Sequence, residues 1–279
     1  LPPGGKEGDF LTDRLTDETL KILSEWKEEP FFVHLAYYAV HTPVMGKKEW
    51  VDYYEKKTAG ENHQKPAYAA LLRSVDDSVG RIMAHLEKLG IAEETVIILT
   101  GDNGGLMSQT RNRPLRAGKG SVYEGGVREP TIVKWPGVTP AGSVCDTPVI
   151  TMDFYPTILH MTGAKGDAKH NRQVDGADLS AILQDPAAGL DRDTLYWYFP
   201  HSHSGGARPY ASIRHHDFRL VKWFNREGVQ LFDLERDIGE SRNLAGSMPE
   251  KAQELEALLD AWLEETGAEI PVPKGPKKK

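Results

Sequence analysis

One run of residues restricts the fold more than any other. It is a long amphipathic pattern that empties into a strand of β-branched residues. In "PAYAALLRSVDDSVGRIMAHLEKLG" (66–90), Tyr68, Leu71, Leu72, Val75, Val79, Ile82, Met83, Leu86 and Leu89 recur at spacings of three and four. That spacing predicts one helix with a single apolar stripe, ended by Gly90. "TVIILT" (95–100) then reads as a buried strand. "FFVHLAYYAV" (31–40) upstream and "PTIVKWPG" (130–137) downstream read as two more, the latter closed by Pro136 and Gly137. Hydrophobic strands separated by a helix pair in parallel, with helices on the sheet faces, so the predicted class is α/β.

The flanking segments complete the plan. "TDETLKILSEWKEEP" predicts a first helix with Thr16 as N-cap, Asp17 and Glu18 at its positive end, and Pro30 as its stop. "TMDFYPTILHMTGA" predicts a short helix. The composition changes after about residue 164, where "AKGDAKHNRQVDGADLS" is loop-like. From Leu195 the pattern is that of a small α+β subdomain. "PYASIRHHDFRLVKWF" and "VQLFDLE" read as hairpin strands joined by "NREG". A closing helix carries Ala252, Leu255, Leu258, Leu259, Trp262 and Leu263 on one stripe. The expected division is therefore 1–194, 195–268 and a basic tail over 269–279.

A net charge of −7 argues against general nucleic-acid binding, which needs a basic face. No apolar run approaches the roughly 20 residues of a membrane span. The one cysteine, Cys145 in "GSVCDTP", reads as a small half-buried residue with no neighbouring base. Asp76 and Asp77, adjacent on a helix, point about 100° apart and read as surface charge or loop contacts.

In a parallel sheet, ligands gather beyond the carboxyl ends of the strands. Three polar groups fall there: His41 in "AVHTP", Asp102 and Asn103 in "TGDNGG", and Lys119 in "RAGKGSVYEGG". Asp102 offers a carboxylate and Asn103 an amide oxygen, a set that suits calcium or magnesium over zinc. Lys119 lies between glycines that let backbone approach an anion. His41 could serve as acid or base. The alternatives are a plain turn, a loop lysine and a hydrogen-bonded structural histidine. His201 and His203 in "FPHSHSGG", with Arg208, are candidate substrate contacts from the subdomain.

These same blocks, "PFFVHLAYYAVHTP", "TVIILTGDNGG", "PLRAGKGSVYEGGVREPTIVKWPG" and "DFYPTILHMTGA", resemble in order those of the type I sulfatases, of the alkaline-phosphatase-like superfamily. "ASIRHHDFRLVKW" and "QLFDLERDIGESRNLA" resemble that family's C-terminal subdomain. The resemblance implies hydrolysis of aryl or carbohydrate sulfate esters. Asp102 and Asn103 would be calcium ligands, Lys119 would bind sulfate, and His41 would assist the departing alcohol. It also implies a formylglycine nucleophile made within C/S-x-P-x-R, a stretch that these 279 residues do not contain. The expectation is a C-terminal portion of such an enzyme, inactive alone, from an exported parent (periplasmic or secreted, lysosomal in an animal). A phosphonate or phosphate ester hydrolase of the same superfamily, and a non-catalytic binder of sulfated glycans, are the alternatives.

Overall fold

The computed structural model describes residues 5–202 and 208–271. It divides into two compact units, residues 1–97 with 106–111, and residues 98–105 with 112–279. The subdomain boundary expected at 195 thus falls inside the second unit, and residues 272–279 of the expected tail lie outside the described residues.

The first unit is helical. α1 (Leu11–Trp26), α2 (Lys48–Glu55) and α3 (Pro66–Leu89) come together, with α3 packed on the other two. Gly90 closes α3 at φ 76°, the left-handed position expected of it. Its buried face is turned from the expected stripe. Ala70, Leu71, Ser74, Ser78 and Leu86 are buried, whereas Leu72 is 56% exposed. Small side chains let two neighbours approach closely, and that selects the face where hydrophobicity alone does not.

α1 starts five residues before Thr16, so Thr16 is not a cap. Thr12, Thr16, Thr19 and Leu23 form its buried face. Thr16 and Thr19 donate their hydroxyls to the carbonyls of Thr12 and Leu15, both at 2.8 Å, which satisfies them without water. The Thr16 hydroxyl also meets the Tyr37 hydroxyl at 2.9 Å. The run 31–40, expected as a strand, makes no ladder here and ends in a turn at 39–40, although the burial of 31–38 alternates as a strand's does. Phe32 and Tyr38 are its open side, 70% and 73% exposed. α2 was not anticipated, because "KEWVDYYE" looks polar. Arg73 lies over the Trp50 ring and also pairs with Asp77 at 2.7 Å.

β1 (Ile97–Thr100), which belongs to the second unit from Ile98 on, pairs with β2 (Thr131–Lys134) as a two-stranded sheet. A short 3-10 turn leads into α4 (Phe154–Thr162). Asp153, fully buried, anchors this region by accepting two hydrogen bonds from Arg192, at 2.6 and 2.7 Å. Cys145 is exposed, not half-buried.

The antiparallel sheet is β3 (Thr194–Phe199), β4 (Tyr210–His215), β5 (Phe218–Trp223) and β6 (Val229–Asp233), in that order. The run read as one strand over 209–224 is itself a hairpin. His215 pairs with Phe218, so His216 and Asp217 make a two-residue turn, with His216 at φ 50°. Alternation gives the sheet two buried faces. Ala211, Ile213, Leu220 and Leu231 face Ala252, Leu255, Leu259 and Leu263 of α5 (Pro249–Glu265). Trp262 stacks on Tyr196 at 4.7 Å, and Leu258 stays 38% exposed. On the other face, Tyr210, Val221 and Phe232 pack with Val122, which comes from the glycine-rich loop.

Leu259→Ala should cost about 2–5 kcal/mol in denaturant unfolding, as for a large core truncation. Leu258→Ala should cost under about 1 kcal/mol, because its side chain is partly in water. Equal losses would mean that the stripe is misplaced.

Candidate active site

The two loops that carry Asp102, Asn103 and Lys119 are joined through backbone. Gly104 donates its N–H to the Gly126 carbonyl at 3.1 Å, and Lys119 donates its N–H to the Gly105 carbonyl at 3.2 Å. Asn112 ties the same layer, giving its amide to the carbonyls of Gly105 (3.0 Å) and Ala117 (2.9 Å). The approach is too close for side chains. A Cβ on Gly104 would collide with the Gly125 carbonyl, and one on Gly126 with the Ser121 carbonyl. That is the physical reason for "DNGG" and "YEGG" together.

Asp102 is exposed and Asn103 half-buried, its amide 3.4 Å from the Gly104 carbonyl. Lys119 is half-buried. Sequence reasoning missed Glu129, whose carboxylate packs on Gly101 so tightly that a Cβ there would strike it. Burial, and then the neighbouring Asp102 charge, push the Glu129 carboxyl up to about 7. The donors are all oxygens, and the Asp102 charge acts on the Glu129 carboxyl. Both facts fit a hard dication. Asp102 and Asn103 fit calcium or magnesium in kind, and they supply only part of the six to eight oxygens that calcium takes.

Beneath the lysine loop lies a charge network that the sequence reading also missed. Glu124 and Arg219, each 1% exposed, pair at 2.5 Å. Arg219 also donates to the Val122 carbonyl and lies 4.9 Å from the Trp197 ring centroid. Glu240, fully buried, accepts the Glu124 backbone N–H at 2.6 Å. Its Oε1 stands 3.9 Å from Arg219 Nε, too long for a hydrogen bond. Arg116 donates to the Glu240 carbonyl at 2.7 Å and covers the Tyr123 ring at 3.8 Å. The segment 116–126 is thereby fastened to the antiparallel sheet. Burial pushes the Glu240 carboxyl up to about 7, against the pull of Arg219.

His41 belongs to the first unit, exposed, with Nδ1 2.8 Å from the Thr42 carbonyl oxygen. Its meeting with the loops of the second unit is an expectation of the sequence. His201 and Arg208 are exposed, His201 with its ring edge-on to Phe199. His203 lies outside the described residues. Among the described residues no helix is long and apolar enough to cross a membrane.

The family model described as "Sulfatase" matches residues 2–164, and that of "N-sulphoglucosamine sulphohydrolase, C-terminal" matches 118–269. A sulfatase of Formosa agariphila is 35% identical over 276 residues, covering 91% of this chain and 50% of that protein. Human steryl-sulfatase is 32% identical over 199 residues, 68% of this chain and 32% of its own length. The chain thus spans half or less of these curated relatives. Ps i-CgsB, solved in complex with k-i-k-neocarrahexaose, superposes with a TM-score of 0.81 at 30% identity, over 94% of this chain and 56% of that one. A phosphonate monoester hydrolase from Silicibacter pomeroyi shares the fold, with a TM-score of 0.67 at 23% identity.

Two predictions follow from the buried charges. Arg219→Met should destabilise by about 3–5 kcal/mol, and adding Glu124→Gln should recover part of that loss, since the worst state is one buried charge alone. For Glu240 the folded pKa, about 7, exceeds the unfolded value of 4.5. Its contribution is fully present below pH 4.5 and lost as pH rises through about 7. Glu240→Gln should therefore flatten the stability profile between pH 5 and 8; an unchanged slope would contradict the assignment.

Proposed function

The chain belongs to the sulfatase family, and from that premise we propose that it contributes the sulfate-holding and leaving-group side of a sulfuric ester hydrolase. The observation that carries this reading is the pair of backbone hydrogen bonds that join the Asp102–Asn103 turn to the Lys119 loop. They join the backbone of the loop that carries Asp102 and Asn103 to that of the loop that carries Lys119, which supports a shared role for the three.

Calcium, held by Asp102 and Asn103, would supply fixed positive charge for the sulfate oxygens. Lys119 places its ammonium against the bridging oxygen, where negative charge grows as the S–O bond breaks. His41 gives a proton to that oxygen, so an alcohol leaves and not an alkoxide. The nucleophile is assigned to a formylglycine outside these residues, which hold no C/S-x-P-x-R stretch. This chain alone is accordingly read as inactive. Ps i-CgsB has been solved with k-i-k-neocarrahexaose, and that supports a sulfated glycan as substrate, with His201 and Arg208 at the rim. An exported location, periplasmic or secreted, goes with the same reading.

In the complete enzyme, Lys119→Ala should lower kcat by about 10²–10³, the size of one lost charge stabiliser. His41→Ala should damage turnover of alkyl or sugar sulfates at least about tenfold more than that of a nitrophenyl sulfate, whose phenolate leaves without a proton. Equal damage would remove the proton-donor role. Turnover of an aryl sulfate by these 279 residues alone, above that of their Lys119→Ala variant, would overturn the placing of the nucleophile. Faster cleavage of phosphonate than of sulfate esters by the complete enzyme would overturn the sulfatase reading.

A further inference from the structure

At the C-terminal end of β4, three metal-ligating side chains converge. One nitrogen each of His215 and His216 and one oxygen of Asp193 all lie within 4.8 Å of one another. We propose that Asp193, His215 and His216 form a binding site for a divalent transition metal, zinc in the first instance, separate from the Asp102–Asn103 turn. The site is independent of the sulfatase reading.

The backbone brings the three together. Thr194 pairs with His215 across β3 and β4, which sets Asp193 beside the hairpin tip. The His216 N–H donates to the Asp193 carbonyl at 2.9 Å. His216, at φ 50°, turns the chain immediately after His215, and the two imidazole centroids sit 4.4 Å apart. Two adjacent histidines on a straight strand would point to opposite faces. The left-handed turn residue is what lets both face one carboxylate.

The donor chemistry is specific. Imidazole suits zinc, copper, iron and nickel, and two histidines with one carboxylate form a known three-ligand set that leaves positions for water. Asp193 oxygens stand 3.8 Å from His215 Nδ1 and 3.9 Å from His216 Nε2. Ligand atoms around zinc, with bonds of about 2.0–2.2 Å, sit roughly 3.4 Å apart. The side chains must close by about an ångström, within reach of small χ rotations. An outer hydrogen bond is already in place. The Thr194 hydroxyl donates to Asp193 at 2.6 Å and therefore accepts from His215 Nδ1 at 2.8 Å. On metal binding His215 Nδ1, the nitrogen that faces Asp193, exchanges that bond for the metal as its proton moves to Nε2, while the Thr194 hydroxyl goes on orienting the carboxylate.

A cavity of about 220 Å3 opens beside the cluster, lined also by Asp146, Asp217, Arg192 and Arg214. The two arginines do not repel a dication freely. Arg192 is held by Asp153, and Arg214 gives its Nε to the His216 carbonyl at 3.1 Å, bracing the turn. Asp146 and Asp217 add carboxylates that can receive metal-bound water.

The test is a zinc titration of this chain against a chromogenic chelator at pH 7.5. It compares the unaltered chain with His216→Ala, Asp193→Asn and, for the other site, Asp102→Asn. His216 and Asp193 are exposed, so both variants should keep the far-ultraviolet circular dichroism of the parent. A variant that loses it is replaced by His216→Gln or Asp193→Ala. The expected result is one zinc per chain at this site, weakened at least tenfold by either change and unaltered by Asp102→Asn. Affinity should also fall below about pH 6, as protons compete for the imidazoles. Absence of zinc uptake, uptake insensitive to both changes, or loss only in Asp102→Asn would each overturn the proposal.

Discussion

The ion pair of Glu124 with Arg219 is the contact on which the second unit turns. Both groups are almost wholly out of water. Such a pair persists only where the geometry is close and the remaining hydrogen-bonding capacity is used. Arg219 meets most of that demand with the Val122 carbonyl and the Trp197 ring face, and Glu240 takes the Glu124 N–H, while Arg219 Nε and Glu240 Oε1 face each other at 3.9 Å without a hydrogen bond. The gain is in placement more than in stability. A strand of the antiparallel sheet grips the segment that follows Lys119, and Val122 fills the sheet's second apolar face beside it. The ammonium is thus presented from a fixed loop.

From there the order spreads by close backbone contact. Gly125 and Gly126 lie directly on Gly104, with no room for a side chain between them. The Asp102–Asn103 turn is consequently positioned by the same segment that positions Lys119. Electrostatics at the turn add a second constraint. Burial first, and then the charge of Asp102, raise the Glu129 carboxyl to about 7.

Much of this was written in local patterns. Gly90 ends a helix because the periodic stripe stops there, and "DNGG" after a β-branched run marks a turn at a strand end. The glycines of "YEGG" and the lysine of "GKG" fixed the candidate residues through the family blocks. What was not legible depends on contacts distant in sequence. Nothing near Glu124 or Arg219 signals that they meet across 95 residues or lose all contact with water. Thr16 looked like a cap because threonine caps helices; its hydroxyl instead bonds within the helix and to Tyr37. Residues 209–224 read as one strand, since a histidine in the left-handed region leaves less trace than glycine would. His41 is the remaining case. Its motif is clear, whereas its place relative to the turn depends on an arrangement that no local pattern encodes.

The central claim is that the Glu124–Arg219 pair holds the Lys119 loop and, through it, the Asp102–Asn103 turn. Amide hydrogen exchange at Gly104, Lys119 and Gly126 in the unaltered chain and in Arg219→Met measures this directly. The account predicts that all three amides are protected together and lose protection together, while those of α3 in the first unit stay as they were. Retained protection at Lys119 and Gly104, in a chain whose β4–β5 amides have loosened, would contradict it.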